Sequence, residues 1–473
     1  MGADPISIWN SKYAWSLIAR AAPPKRPPGE RINDTEEIYT SYDEEAVRAQ
    51  ASRCIQCPNP GCVQACPLGN RIPEWLALAA AGDFLGAAEV SRSTSNMPEI
   101  CSRICPQERL CESACFLCGP SDPVSIGAVE RFINDFALRH EVATAVPAYP
   151  NGFKVGVVGS GPGGIACADE LAKQGFEVTV FDAQTRPGGL LANGIPEFKL
   201  NRGLVERRIE VLKARGVVFR LGVRVGSDLS LRELQGQFDA VFLAFGAQRP
   251  KAIDIPGAEL DGVVQALPFL VGTDMSLPSH ELPVATKDKR VVVLGGGDTA
   301  MDCLRLSIRS GAKDALCLYR RDLANMPGSR AEYANALEEG ARFQFLTNPV
   351  ALVGTPAGAV ARVRCVRMEL GAPDAGGRRR PKPVQGSEFE VPADLVLVAY
   401  GFDPAPFPAG SDFCRLALSE WGGIIVDSDQ MTSVPGVFAG GDSTRGPSLV
   451  VHAVRDGRRA AAGIERYLAT VKA

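Results

Sequence analysis

The chain is 473 residues long, more than one ordinary hydrophobic core accommodates, so two or three domains are expected. Its 45% apolar and 22% charged content and its formal charge of −3 (51 basic against 54 acidic side chains) give no global signal for nucleic acid or an anionic membrane. No apolar run is long enough to span a bilayer, and MGADPISIWNSKYAW lacks the basic run and apolar core of a signal peptide, so a cytoplasmic protein is expected.

Residues 1 to 150 carry the sulfur. Nine of the fourteen cysteines lie between Cys54 and Cys118. The first run is Cys54-x2-Cys57-x4-Cys62-x3-Cys66-Pro67; the second is Cys101-x3-Cys105-Pro106, followed by Cys111, Cys115 and Cys118. Secreted chains use such density for disulfides, but in a reducing compartment short fixed spacings point to a metal centre. Neighbouring thiolates separated by two to four residues converge on one cluster face. A cysteine followed by proline is a bacterial ferredoxin pattern in which the last cysteine of a run ligates the other cluster. Two such runs predict two [4Fe–4S] clusters with exchanged ligands. Structural zinc would ask for paired C-x2-C knuckles, and only one is present in the standard place. Helix-like segments such as IPEWLALAAAGDFLGAAEV (72–90) accompany the cysteines, and VATAVPAYPNG (142–152) reads as a linker.

Next, FKVGVVGSGPGGIACADELAKQGFEVTVFDA reads as strand, glycine turn, helix and second strand, with Ile165, Ala168, Leu171 and Ala172 on one helix face. Gly159, Gly161 and Gly164 form G-x-G-x-x-G, which allows a tight turn, close approach to a pyrophosphate and close helix–strand packing. Asp182, 23 residues after Gly159, is placed to accept a ribose hydroxyl. A second unit follows at 289–322, with Gly295, Gly297 and Ala300 as a G-x-G-x-x-A variant. Where an acid would bind the ribose of NAD, it has Arg320 and Arg321, which suit the extra 2′-phosphate of NADP. Solvated surface arginines are the alternative. The segments 239–247 and 393–404 bracket this unit, and 436–461 gives a strand, a glycine turn and a helix. The Gly441-Asp442 pair in that turn suggests an aspartate returning to a flavin's ribityl chain, so FAD goes with Gly159 and NADPH with Gly295.

The expected fold is α/β: a helical iron–sulfur domain followed by two nested Rossmann-like dinucleotide-binding domains. The expected limits are 1–150 for the two clusters, 151–283 with 401–473 for FAD, and 284–400 for NADPH. Further cofactor contacts are expected at Gly189, Leu190, Lys199 and Gly246 on the first side and at Asp298 and Thr299 on the second.

Five segments carry a family resemblance: CPLGNRIPEW (66–75), GIPEFKL (194–200), LYRRD (318–322), ANMPGSRAEYANALEEG (324–340) and AGGDSTRGPSLVVHAVRDGRRAA (439–461). With them the chain resembles the small (beta) subunits of bacterial NADPH-dependent glutamate synthases. The wider group includes the N-terminal half of dihydropyrimidine dehydrogenase and the large subunits of ferredoxin:NADP transhydrogenases. The resemblance implies one cluster on Cys54, Cys57, Cys62 and Cys115, and another on Cys66, Cys105 and Cys111. For the last ligand it points to Glu130 in SIGAVERF, while spacing alone would choose Cys101. Cys118 receives no role. The resemblance further implies an electron-input subunit that oxidises NADPH at FAD and passes single electrons through the clusters to a larger catalytic partner in a hetero-oligomer. The favoured partner is the glutamate synthase large subunit, which makes L-glutamate from L-glutamine and 2-oxoglutarate. The same relay serving a transhydrogenase or pyrimidine-reducing partner, or a stand-alone NADPH-dependent flavin oxidoreductase, are the alternatives.

Several chemistries are not expected. The three histidines (His140, His280, His452) are far apart in sequence, so a histidine metal site is not expected; no close cysteine pair follows residue 118, as flavin disulfide reduction would need. Position 2 is Gly2, where an N-terminal-cysteine amidotransferase would have cysteine, and there is no room for a second catalytic barrel. No acid–base pair is needed, because the cofactors carry the reaction. Intact glycine turns argue against a carrier with vestigial sites.

Overall fold

A computed structural model describes residues 13–140, 149–247, 249–272, 284–373, 379–408 and 410–471. His280, most of the linker expected over 142–152 and the first twelve residues lie outside this range.

The cysteine-bearing module is helical. Helix α1 (Glu44–Ser52) starts where the Asp43 carboxylate accepts the amide of Ala46. The stretch 72–90, which looks like one helical segment in sequence, is two: α2 (Ile72–Ala81) stops at Gly82, whose φ is +89°, and Asp83 caps the next helix, α3 (Phe84–Thr94). Then come α4 (Pro98–Ile104) and α5 (Ile126–Arg139). Trp75 is fully buried at the centre of this module, its indole N–H donating to Asn70 Oδ1 at 3.1 Å.

The first expected βαβ unit is present as β1 (Lys154–Val158), α6 (Pro162–Lys173) and β2 (Glu177–Asp182); α7 (Arg202–Ala214), β3 (Val218–Leu221) and β4 (Ala240–Leu243) follow. The chain then enters β5 (Val263–Gln265), β6 (Arg290–Leu294), α8 (Asp298–Arg309), β7 (Asp314–Leu318), α9 (Arg330–Glu338) and β8 (Arg342–Gln344). An antiparallel excursion of β9 (Thr347–Gly354), β10 (Val360–Pro373), β11 (Arg379–Pro383) and β12 (Phe389–Pro392) precedes β13 (Leu395–Val398). Last are β14 (Val437–Ala439) and α10 (Val450–Val471).

Two five-stranded sheets result, in the orders β14-β4-β1-β2-β3 and β5-β13-β6-β7-β8. All their pairings are parallel. The C-terminal β14 completes the sheet begun by β1, so the second unit is inserted within the first, as the sequence predicts. Two parallel sheets flanked by helices leave their carboxyl-end crevices as the places for ligands. The helical module docks on the first sheet unit through α4: Met97, Ile100 and Cys101 share a core with Val155, Val157 and Ile165. Arg208 of α7 donates two hydrogen bonds of 2.9 Å to buried Glu99.

A buried charge network joins three stretches of chain. Glu339 accepts from Arg31 Nε at 2.8 Å, Arg305 Nε at 2.9 Å and Arg309 Nη1 at 2.6 Å. Arg305 also donates to Glu332 at 2.6 Å, and Lys199 Nζ lies 3.2 Å from Asp302 and 3.6 Å from Glu332. The Phe198 ring holds the guanidinium groups of Arg305 and Arg309 at 4.4 and 3.9 Å. Burial works against ionising Glu339, but hydrogen bonds from Arg309 and Arg305 win and hold its pKa down to about 2. Replacing Glu339 by glutamine leaves Arg31, Arg305 and Arg309 without their shared carboxylate, a loss of about 3–5 kcal/mol, so the urea midpoint should fall sharply at pH 7. Because the folded pKa lies below the unfolded one, this contribution is complete above about pH 5 and disappears toward pH 2. The stability gap between wild type and E339Q should therefore close over that window.

Candidate functional site

The cysteines separate into two cavities. Cys54, Cys57, Cys62 and Cys115 line one, together with Leu76 and Phe116. Cys66, Cys105 and Cys111 line the other, and both Cys101 and Glu130 open onto it. Ile126, the first residue of α5, lines both. Cys62 lies within a one-turn helix, Gly61–Ala65, and Cys66 is its extended C-cap. Cys118 is exposed, donates to the Glu112 carbonyl at 3.2 Å and lines neither cavity.

The thiols surround voids rather than points. Among the described residues no three His, Cys, Asp or Glu side chains converge on a single ion. Four thiols spread around one void fit a polynuclear iron–sulfur group. Burial pushes the Cys54 thiol up to about 12, and Cys62 and Cys66 up to about 11. Thiolates in such surroundings need the positive charge of metal to form. Burial likewise raises the Glu130 carboxyl to about 7, against hydrogen bonds from Ser91 at 3.3 Å and Asn70 at 2.9 Å. Both bonds land on Oε1, so Oε2 is the oxygen with lone pairs left for a metal ion. Cys101 is 5% exposed and sits one helical turn before Cys105, whose thiol its own thiol contacts.

In the first nucleotide unit the three glycines lie between β1 and α6. A Cβ on Gly164 would stand 1.9 Å from the Gly159 carbonyl, so the helix approaches the turn as closely as glycine allows. Gly161 caps α6 and faces open space at the helix start, a place suited to an anion. Asp182 Oδ2 accepts from the Ser160 amide at 2.7 Å and the Ser160 hydroxyl at 2.5 Å, and Ser160 Oγ accepts from the Gly188 amide at 3.0 Å. The acid therefore fixes the glycine turn as well as facing the crevice. Gly189 lies against Gly161, Leu190 opens the short helix Leu190–Asn193, and Gly246 follows β4 facing open space. Gly441 precedes the one-turn helix Asp442–Arg445 beyond β14. Burial pushes Asp442 up to about 7, and its Oδ1 accepts the Ser448 amide at 3.1 Å. Gly159, Asp182, Gly246 and Gly441 thus all stand at carboxyl ends of strands in one sheet. Lys199 is placed elsewhere: its ammonium group is taken up by Asp302 and Glu332.

The second unit repeats the plan. Gly295 has φ +135°, and a Cβ there would stand 2.4 Å from the Ala399 carbonyl at the end of β13. Gly297 caps α8 and faces open space, Asp298 Oδ1 accepts the Ser329 amide at 2.8 Å, Thr299 is half-buried, and Ala300 is buried. Arg320 and Arg321 follow β7; Arg320 is exposed, and Arg321 Nε is buried without a hydrogen-bond partner. The five later cysteines are single: Cys167, Cys303, Cys317 and Cys365 are buried and Cys414 is exposed.

Two residues escape a reading of motifs. Asp456 is fully buried, accepts the Gly441 amide at 3.1 Å and takes both Arg445 Nε and Nη2 at 2.7 and 2.6 Å. Its signal in sequence is an acid on the apolar face of a helix, beside Ala453, Gly457 and Ala460. Ser160 occupies a variable position of the glycine motif, where no pattern marks it.

Two family descriptions match: dihydropyrimidine dehydrogenase domain II, 4Fe-4S cluster, over residues 31–142, and pyridine nucleotide-disulphide oxidoreductase over 153–457. The chain is 46% identical over 458 residues to the glutamate synthase [NADPH] small chain of Azospirillum brasilense, covering 95% of each. It belongs to the glutamate synthase [NADPH] small-chain family. This family member is an oxidoreductase that joins a 4Fe-4S domain to a pyridine-nucleotide region. It is also 44% identical over 464 residues to the putative oxidoreductase AegA of Escherichia coli, covering 95% of this chain and 70% of that one. The fold is shared with Mycobacterium tuberculosis FprA in complex with NADPH, at TM-score 0.58 and 21% identity over 68% of this chain and 85% of that one. Among the described residues no helix is long and apolar enough to cross a membrane.

Asp456 supplies a direct check on the Gly441 crevice. Asp456→Asn keeps the shape but removes the charge paired with Arg445, and loss of one partner of a buried pair costs about 3–5 kcal/mol. The purified variant is expected to carry markedly less flavin per chain than wild type, read from its visible absorbance.

Proposed function

We propose that the chain is the cytoplasmic electron-input subunit of a glutamate synthase. It oxidises NADPH at FAD and delivers electrons through two [4Fe–4S] clusters to a larger catalytic subunit, which forms L-glutamate from L-glutamine and 2-oxoglutarate. The supporting observation is the placing of two apolar side chains at the thiol cavities. Val451, in the first turn of α10 beyond Gly441 and Asp442, lines the cavity of Cys66, Cys105 and Cys111, and Ile126 separates that cavity from the other.

When bound, the flavin and the clusters supply the conversion of a two-electron hydride into single electrons. The chain's residues bind and orient. On the FAD side the Gly159–Gly164 turn and the start of α6 hold the pyrophosphate, Asp182 the ribose, and Gly441 with Asp442 the ribityl chain, with Gly189, Leu190 and Gly246 closing the crevice. On the NADPH side the turn from Gly295 through Gly297, Asp298 and Thr299 to Ala300 holds the pyrophosphate, and Arg320 with Arg321 holds the 2′-phosphate. One cluster is held by Cys54, Cys57, Cys62 and Cys115; the other by Cys66, Cys105, Cys111 and Glu130. The proposed limits are residues 1–150 for the clusters, 151–283 with 401–473 for FAD, and 284–400 for NADPH. A second reading, the same relay serving another partner, is favoured by the likeness to a longer oxidoreductase that spans nearly all of this chain.

Anaerobic purification of the tagged chain from its own cells tests the assignment. Co-purification of a large glutamine-dependent chain supports it, and a different flavoprotein in its place refutes the glutamate synthase assignment. Replacing Arg320 and Arg321 by alanine removes charge-assisted bonds worth about 1.5–3 kcal/mol each, about 3–6 kcal/mol together, so KM for NADPH should rise by roughly 100-fold or more while KM for NADH changes little. Anaerobic iron analysis separates the candidate ligands. Glu130→Ala is expected to fall from about eight iron atoms per chain toward four, while Cys101→Ala keeps about eight.

A further inference from the structure

We propose that Glu108 and Arg109, on the turn between Cys105 and Cys111 of the iron–sulfur module, are positioning residues of the NADPH site. The proposal rests on the reading that the Gly295 unit takes NADPH. Glu108 Oε1 accepts from Ser329 Oγ at 2.9 Å and from the Arg330 amide at 3.2 Å, across a gap of 221 residues to Ser329. Arg109 Nη1 donates to the Pro327 carbonyl at 2.7 Å, and its Nη2 lies 4.0 Å from Asp298 Oδ2.

The segment held by these contacts lies on the glycine turn of the second unit. The Gly328 amide donates to the Gly296 carbonyl at 2.9 Å, and the Ser329 amide to Asp298 Oδ1 at 2.8 Å. A Cβ on Gly328 would stand 3.0 Å from the Gly296 carbonyl, so the segment has no slack toward the turn. Residues 327–330 are therefore clamped between Gly296–Asp298 on one side and Glu108–Arg109 on the other.

The clamp has a firm base. Gln107 accepts the amides of Leu110 at 3.1 Å and Glu112 at 3.0 Å through its carbonyl, and its side chain donates to the Ser102 carbonyl at 2.9 Å. A loop ordered before the ligand arrives binds more tightly than one ordered by it. Glu108 and Arg109 thus act on nucleotide affinity through Ser329 and Asp298, without touching the nucleotide.

The test uses the full-length, cluster-loaded chain with ferricyanide as acceptor, together with the Kd for NADP⁺ and the iron and flavin content. Glu108→Ala and Ser329→Ala should each raise KM for NADPH and Kd for NADP⁺ five- to tenfold, with kcat held within twofold. Glu108→Gln, which keeps an acceptor oxygen, should recover most of the loss. The double variant should be no worse than Glu108→Ala alone, since that change already removes the bond from Ser329. Arg109→Ala should move KM in the same direction. Variants with full iron and flavin whose KM stays within twofold of wild type, or single effects that multiply in the double variant, would overturn the proposal. If Glu108→Ala loses iron, Ser329→Ala, remote in sequence from every cysteine ligand, decides by the same criteria. A wild-type chain that uses NADH as readily as NADPH refutes the NADPH reading itself; a wild type selective for NADPH with unmoved variants refutes only the positioning role.

Discussion

Glu339 is the pivot of the molecule. Four cations (Arg31, Lys199, Arg305, Arg309) face four carboxylates (Asp302, Glu332, Glu338, Glu339) in and beside the interior, and they come from three separate stretches of chain. Such a network adds little net stability over apolar packing, because desolvation of each ion offsets its attraction. Its consequence is geometric. An apolar contact slides at small cost, whereas a carboxylate shared by three guanidinium groups has one satisfactory arrangement. Lys199 and Phe198 bring the first nucleotide unit to it, residues 302–339 the second, and Arg31 the N-terminal arm. Hydride transfer depends on the distance and angle between two bound nucleotides, so the crevices must be held to each other as firmly as each is held within itself.

The cysteine module obeys the opposite rule. Its cavities have apolar walls, and burial raises most of their thiols well above the usual range. Without metal these are buried polar groups with little compensation; with metal they become charged ligands in a dry shell. Loading and folding of this region are therefore linked, as in other small metal-bearing modules. The same dry shell governs cluster potential through solvent exclusion. Ile126 belongs to both shells, so one aliphatic side chain separates the two thiol sets.

Much of this was legible in the sequence, and the reason is locality. Gly159, Gly161, Gly164 and Asp182 lie within one strand–turn–helix–strand unit, and each answers a demand of backbone geometry that few residue types meet. The cysteine spacings are local in the same sense, and Cys115, which spacing alone does not group, lines one cavity with Cys54, Cys57 and Cys62. Lys199 shows the limit. It sits in a stretch that family resemblance ties to the cofactor, yet its ammonium group is claimed by two carboxylates more than a hundred residues away. Asp456 and Ser160 were missed because each serves the backbone of a motif rather than the motif's own pattern. The choice between Cys101 and Glu130 stays open to spacing because both reach one cavity from different helices, α4 and α5.

The two halves divide the physics of the reaction. A hydride moves as a nucleus with its electron pair and tolerates no gap, so the nucleotide half is built from hydrogen-bonded turns in which Gly159, Gly164 and Gly295 admit no side chain. An electron crosses packed matter without an atom moving, so the cluster half needs only walls that exclude water and hold the thiols apart. What joins the halves has to satisfy both. The approach to α10 does so: the Ser448 amide, two residues before the helix, donates to Asp442 at the strand-end crevice, and Val451 in its first turn lines the thiol cavity. The docking of the cysteine module on the first sheet is accordingly a shared core, with Met97 and Ile100 packed among the residues of β1 and α6.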